Sequence, residues 1–493
     1  MQTRTIKYIA VVIAVMAVTG CKKFVESGDV NINPNKPADA TLNTLLPAVE
    51  NATANAHFWV AYTTTLFSQQ MASYASGPIN DDQNRDVRMG IAYQVVYLNG
   101  LTNAKIIISK AAAQASPYYS AIGKILFVLN MALATDTWGN VPNSEAFQAP
   151  AILYPHYDKQ ETLYPLMQKM LDEAITEAGA TNNPVTLKPA TDDLMYGGNM
   201  TLWKQAAWLL KARLAIHTTK KGAMAAATAA LAAVANGLPA NTASSDADLK
   251  LIYNDKNLNP WQINVSNRIL TGNFTITPSK RFVDAINGTA YPGLSDPRIG
   301  LLIDKKTSAN YVGLANGSST TGNTTDLTVN TFFGKTGAQL LMASYAEQKF
   351  IESEARFIIN GGTTSSAGST QAAYDAYLAG INANMLKLGV PAASITAYIT
   401  NPLVAVGPTG LTMELIMREK QIALFLNNEA WTDMRRYDYN PALFKGVAVP
   451  LNQNLELAGS FIRRSLYPMD ELNRNPNAQA EVVGLAEKVW WDK

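Results

Sequence analysis

Cys21 is the sole cysteine of this 493-residue chain, and its setting is that of a reactive attachment point. Arg4 and Lys7 precede an apolar stretch from Tyr8 to Val18, and Val18-Thr19-Gly20-Cys21 places small residues just before the thiol. The apolar run is about half the ~20 residues that a spanning helix needs. That pattern predicts a lipoprotein signal over residues 1–20. An ordinary signal with a chance cysteine is the alternative, but a lone thiol has no disulfide to form. Lipidation at Cys21 would add a thioether-linked diacylglycerol and an amide-linked acyl chain such as palmitate. At roughly 0.8 kcal/mol per buried methylene, several chains anchor durably where one does not.

Other reactive patterns are incomplete. His57, His156 and His217 are far apart and lack the spacing of zinc ligands. Gly334-Lys335-Thr336 imitates the end of a phosphate-binding loop, but Val329 stands where the first glycine belongs. Asp82, Asn84 and Asp86 imitate a calcium loop, with Val87 in place of its glycine. A glycoside hydrolase needs two carboxylates held at ~5 or ~6.5–9.5 Å. Glu352 and Glu354 project from different sides of a helix, Glu352 is spaced to pair with Arg356, and Asp192-Asp193 reads as a turn. Neither a cofactor nor a metal is expected. A net charge of +2, with 16% charged residues and no basic block among aromatics, argues against nucleic acid. Beyond the signal, no second apolar run reads as a membrane span.

The elements that must position any site are helical. Leu163, Leu166, Met167, Met170, Leu171, Ala174 and Ile175 share one helix face, with Asp158 and Glu161 as a capping box at its start. Pro165 predicts a kink or a later start. Helices arrive in pairs at about 85–135 (Arg85 to Ala115, then Tyr118 to Thr135), 160–220, 340–388 and 411–437. Stacked pairs of this length predict a mainly α, tetratricopeptide-like repeat scaffold. Between the second and third pairs, residues 241–335 form a long irregular insert rich in Asn, Thr, Ser and Gly, carrying short strands such as Leu251-Ile252-Tyr253. The expected organisation is a tether over 21–37 and a single domain over 38–493.

One string stands apart. Asp136-Thr137-Trp138-Gly139-Asn140-Val141-Pro142-Asn143-Ser144-Glu145 closes a helix on a tryptophan and a glycine, then turns through a proline. By itself it reads as a helix stop with a buried ring. As a string it resembles the hallmark of the SusD/RagB outer-membrane nutrient-binding lipoproteins, and further matches follow in order. They include Asn33-Pro34-Asn35, Tyr157-Asp158-Lys159-Gln160, Asp193 to Asn199 leading into Trp203 and Arg213, and Asp296-Pro297-Arg298. Tyr345-Ala346-Glu347, Glu419 to Phe425, Asp433-Met434-Arg435-Arg436, Arg463 to Pro468 and Val489-Trp490-Trp491-Asp492 complete the series. Asn140 and Asn199 each replace a common aspartate. Arg213, Arg435 and Arg436 are expected to meet carboxylates such as Glu347, Glu354 or Glu419 inside the stack.

The resemblance implies a lipid-anchored, surface-exposed outer-membrane protein that sits over a SusC-like TonB-dependent transporter. It would capture an oligosaccharide or polysaccharide and pass it on without cleaving it. Peptide or other nutrient binding, a lipid-anchored glycoside hydrolase and a purely structural transporter partner are the alternatives. In the family, ligands contact the irregular loops. A glycan site needs aromatic faces for sugar C–H surfaces and polar groups for hydroxyls. Trp261 is the first candidate, although it could instead plug the insert onto the helices. Tyr74, Tyr291 and Tyr311 follow, with Asn80, Asp81 and Gln262 as polar partners. His57-Phe58-Trp59 reads as a buried helical segment.

Overall fold

Local signals set the helix ends. In the computed structural model, which describes residues 40–241, 246–318, 320 and 322–493, α1 is Leu42–Phe67. A short helix Gly90–Gln94 runs through a π turn, Val95–Leu101, into α2, Thr102–Ala113. Helix α3, Pro117–Trp138, starts with proline at its first position, where no N–H is needed, and stops at Gly139 with φ of 85°. There follow α4 (Gln160–Ala178), α5 (Met200–His217) and α6 (Ala223–Val234). After the insert come α7 (Tyr345–Ile359), α8 (Gln371–Leu388), α9 (Met413–Ala423) and α10 (Glu429–Arg436). Asn199, Ser344, Thr370 and Thr412 cap α5, α7, α8 and α9 by accepting a first-turn N–H. Cys21, the signal, the tether and Asn33-Pro34-Asn35 lie outside the described residues.

The helices form a continuous stack. α2 packs on α3, α3 on α4, α4 on α5, α5 on α6, α6 on α7 and α7 on α8, with α9 against both of the last two. Because α6 touches α7 directly, the intervening insert is extruded from an unbroken scaffold. The strands described are short antiparallel pairs: β1 (Met71–Ser73) with β5 (Ile276–Pro278), β2 (Val141–Pro142) with β3 (Tyr157–Asp158), and β4 (Leu249–Ile252) with β6 (Gln339–Ala343).

Several expectations change. Residues 85–89 are not helical, and Leu340 to Ala343 is β6 because its backbone pairs with β4. Helix α4 begins at Gln160, ahead of Pro165, and its capping box is absent. Asp158 instead accepts the backbone N–H groups of Asn143 and Ser144, at 2.8 Å each, while Asn140 accepts the N–H of Gln160 at 3.1 Å. Helix α3, at 22 residues and mean hydropathy 1.3, is long and apolar enough to cross a membrane, but 83% of that window is buried in the stack.

The hallmark string is a socket for the C-terminus. The Asp136 carboxylate accepts from Trp491 Nε1 (2.7 Å), the Tyr164 hydroxyl (2.6 Å) and Gln160 Nε2 (3.2 Å). Trp138 is fully buried below it. One contiguous apolar core thus runs from Leu42 to Trp491.

Buried ion pairs lock the stack. Arg213 of α5 grips Glu347 of α7 through Nε and Nη2, at 2.7 Å each. Glu354 of α7 receives Arg436 of α10 at 2.7 Å and Lys420 of α9 at 3.3 Å, and both cations also meet Asp433. Arg298 joins Asp296 to Glu419 of α9, at 2.6 Å each. Arg435 departs from the expected carboxylate pairing. It donates to the Asp136 and Arg463 carbonyls and lies 3.6 Å from the Trp431 ring centre.

His217 sits between Glu429 (2.8 Å) and Asp136 (3.5 Å). Burial alone would lower its pKa, but the two carboxylates outweigh that and raise it from 6.5 to about 9. The native state therefore holds this proton more tightly than the unfolded chain. Its stabilisation is complete below pH 6.5 and disappears as the pH rises through about 9.

Glu354→Ala leaves two buried cations sharing Asp433 alone and should cost about 3–5 kcal/mol in chemical denaturation. Glu352→Ala, which breaks only the helix-surface pairs to Lys349 and Arg356, should cost less than about 1 kcal/mol. In a pH series, His217→Gln should flatten the loss of stability between pH 6.5 and about 9. An unchanged slope would contradict the buried imidazolium.

Candidate functional site

The β1–β5 ladder brings two distant loops together. Its register pairs Met71 with Pro278, Ala72 with Thr277 and Ser73 with Ile276. Beyond it the Tyr74 N–H donates to the Thr275 carbonyl at 3.0 Å. Gly77 lies so close that a β-carbon there would stand 2.0 Å from the same oxygen, which is why the position takes glycine. The loop around 74–82 and the segment 262–275 therefore run edge to edge beside α1.

Along these segments half-exposed aromatics stand beside polar groups. Trp59 and Tyr62, one helical turn apart on α1, are partly exposed, with ring centres 5.9 Å apart. Asp81, Arg268 and Thr275 are close enough to Tyr62 to act on its hydroxyl. Phe274 is 37% exposed and lies 5.1 Å from the Tyr74 ring. Asn80 is exposed, and the π turn Gln262–Ser266 and the helix Asn267–Leu270 add Asn264, Asn267 and Arg268 at the surface. Asp81 is half-buried; burial, then the neighbouring charges of Asp82 and Asp86, raise its pKa to about 6. Adjacent Asp82 is engaged, accepting the N–H groups of Ser73 and Gly317 and the Asn316 amide. Partly exposed rings beside a carboxylate and amides are the groups that a polyhydroxylated ligand requires.

The sequence-derived candidates divide. Asn80 and Asp81 lie on this face. Trp261 does not: it is 2% exposed and packs edge-on against Phe58, with ring centres 4.9 Å apart. The reason is local. Asn259 caps a helical segment that opens at Pro260, accepting the Trp261 N–H at 2.8 Å, and this turns the indole onto α1. Gln262 is buried and donates to Thr336 Oγ1 at 2.8 Å. Tyr74 is 6% exposed, its hydroxyl donating to Asp326 at 2.8 Å, so it props Phe274 from beneath. Tyr291 lies elsewhere, bonded to Glu414 at 2.7 Å with Arg418 and Lys445 over its ring, and Tyr311 lies under Lys305. Trp59 and Tyr62 escaped the sequence reading. Their three-residue spacing, on a helix rim next to the buried Phe58, is the pattern that marks them.

Among the described residues, no group of three or more His, Cys, Asp or Glu side chains is arranged to hold a metal ion.

Comparison with known proteins adds the family. The pattern of a SusD-like family described as starch-binding and associating with the outer membrane matches residues 34–468. No curated protein matches in sequence. A SusD homolog from Bacteroides uniformis superposes with a TM-score of 0.73 at 21% identity, over 92% of this chain and 100% of that one. A SusD/RagB family protein from Bacteroides thetaiotaomicron gives 0.74 at 19% identity, over 92% and 99%. A chitin-binding SusD homolog from Flavobacterium johnsoniae gives 0.71 at 22% identity, over 91% and 98%. With its helix stack, its Asp136 socket and a family match running through most of its length, the chain belongs to the SusD-like family.

Proposed function

We propose that this protein captures a glycan at the outer-membrane surface, held there by lipid on Cys21, and passes it uncleaved to a TonB-dependent transporter. The observation that carries the reading is the part-exposed pair Trp59 and Tyr62 on α1, with the Asp81 carboxylate acting on Tyr62 and the exposed Phe274 on the adjoining segment. Aromatic faces take the C–H surfaces of a sugar, and a carboxylate accepts from its hydroxyls. Family membership and the chitin-binding relative support the same ligand class. The buried ion pairs hold the helices still while the two loops meet the ligand, so little ordering entropy is lost on binding.

Titration of the chain lacking residues 1–21 against a panel of neutral oligosaccharides tests this directly. Saturable binding without released sugar is expected. Product formation would make the protein a glycoside hydrolase, and selective binding of peptides would replace the ligand class. Trp59→Ala and Tyr62→Ala should each weaken glycan binding about tenfold, or ~1.4 kcal/mol. Trp261→Ala should instead act on folding, lowering stability by about 3–5 kcal/mol in denaturation, as removal of a buried tryptophan does. Affinity should fall as the pH drops through about 6, where Asp81 protonates and loses acceptor capacity. Asp81→Asn should abolish that dependence, and a pH-independent wild type would remove Asp81 from the contact.

A further inference from the structure

A second recess opens between the insert and the segment leading from α10 toward the C-terminus. It encloses about 570 Å³, a volume within the ~300–1,000 Å³ of small-molecule sites. Ala290, Ala315, Pro450 and Leu451 supply apolar wall, while Lys280, Arg281 and Lys445 supply positive charge. Lys280 is offset by Asp284 one turn away. The other two cations are not offset.

Arg281 is the unusual group. Its one hydrogen bond among the described residues runs from Nη1 to the Ser68 carbonyl at 2.9 Å, and its buried Nε has no partner. Among the described residues no carboxylate acts on it: burial pulls its pKa down to about 10, and the opposing influence comes from Tyr291. Among the described residues, Arg213, Arg298 and Arg436 meet acids, Arg435 stacks between indoles, and Arg464 lies over the Tyr467 ring and donates to the Trp138 carbonyl; Arg281, partly exposed but with its Nε buried, has neither an acid nor a ring. Lys445 likewise meets no acid among the described residues; its ammonium lies 4.9 Å from the centre of the Tyr291 ring. Gly446 brings the backbone beside Arg281, a β-carbon there falling 3.7 Å from Arg281 Cγ. Two cations on facing segments, one with its Nε buried and no acid against it among the described residues, leave a site short of an anion.

We infer that this recess is a subsite for an acidic sugar, binding the carboxylate of a uronate residue between Arg281 and Lys445 with the apolar wall against its ring. A planar guanidinium with free donors suits a carboxylate bidentately. The wall of Ala, Pro and Leu favours a ligand with C–H surface over a bare inorganic anion. The inference rests on the proposed glycan capture but uses residues remote from Trp59 and Asp81 in the chain, so the two readings fail separately.

The test is calorimetric titration of the full chain in detergent with oligogalacturonate and with its methyl ester, which shares the backbone and lacks the charge. The acid should bind at least about tenfold more tightly than the ester, and the preference should weaken as salt rises. Arg281→Gln should remove the preference while leaving ester binding unchanged. Lys445→Gln, at an exposed position, should reduce it without touching the fold, which covers the case of an Arg281 variant that folds poorly. Equal binding of acid and ester, or a preference that survives both substitutions, overturns the acidic subsite while leaving neutral capture standing. Binding of neither overturns the acidic subsite, and the panel of neutral oligosaccharides then decides glycan capture by itself. Competition by inorganic sulfate as effective as by galacturonate itself would overturn the sugar assignment.

Discussion

Glu354 is the point on which the helix stack turns. Its carboxylate, fully buried on α7, draws Arg436 from α10, Lys420 from α9 and the Tyr437 hydroxyl to one place. Glu347, one helical face further back, draws Arg213 from α5. These charges are satisfied only when α5, α7, α9 and α10 pack in this arrangement. A helix register slip would leave several ions desolvated and unpaired, at several kcal/mol each. Burial of apolar surface supplies most of the driving force, and the ion pairs select one stack from the many a helical chain could form. No disulfide helps, since the chain has a single cysteine.

That constraint explains how so irregular an insert can carry a defined face. Helices α6 and α7 meet directly, so both ends of the excursion are pinned to the scaffold. Within it the β1–β5 ladder ties residues 276–278 back to the chain just after α1. Trp261 adds a second tie by inserting against Phe58. With these ties, Trp59 and Tyr62 on α1 stand beside a loop that the fold itself anchors.

Much of this was legible in the chain, for identifiable reasons. Helix α4 spans the stretch its apolar periodicity marks, because it buries one stripe on its neighbours. The ordered motifs led to the right family, and in the structure Asp136, Trp138 and Trp491 serve packing, forming a socket for the C-terminus. Arg213 and Arg436 found acids, as buried cations must, whereas Arg435 is satisfied by carbonyls and indole faces. Tertiary pairing was harder to see. Strand β6 carries an apolar run that reads as helix until its partner β4, some ninety residues away, is in place. Helix α6 is mostly alanine and lacks a stripe of large side chains. Trp261 looked free because its flanks are polar; Asn259 and Pro260 in fact start a helix that points it inward. The partly exposed Trp59 looked buried because Phe58 beside it is.

Hydrogen–deuterium exchange of the chain with and without a saturating neutral oligosaccharide tests the central claim, that a rigid stack presents a preformed loop face to a glycan. The account predicts added protection confined to about 74–82 and 262–275, with the amides of α4 to α9 unchanged. Protection spread through the helices, or absent from both loops while the sugar is bound, would contradict it.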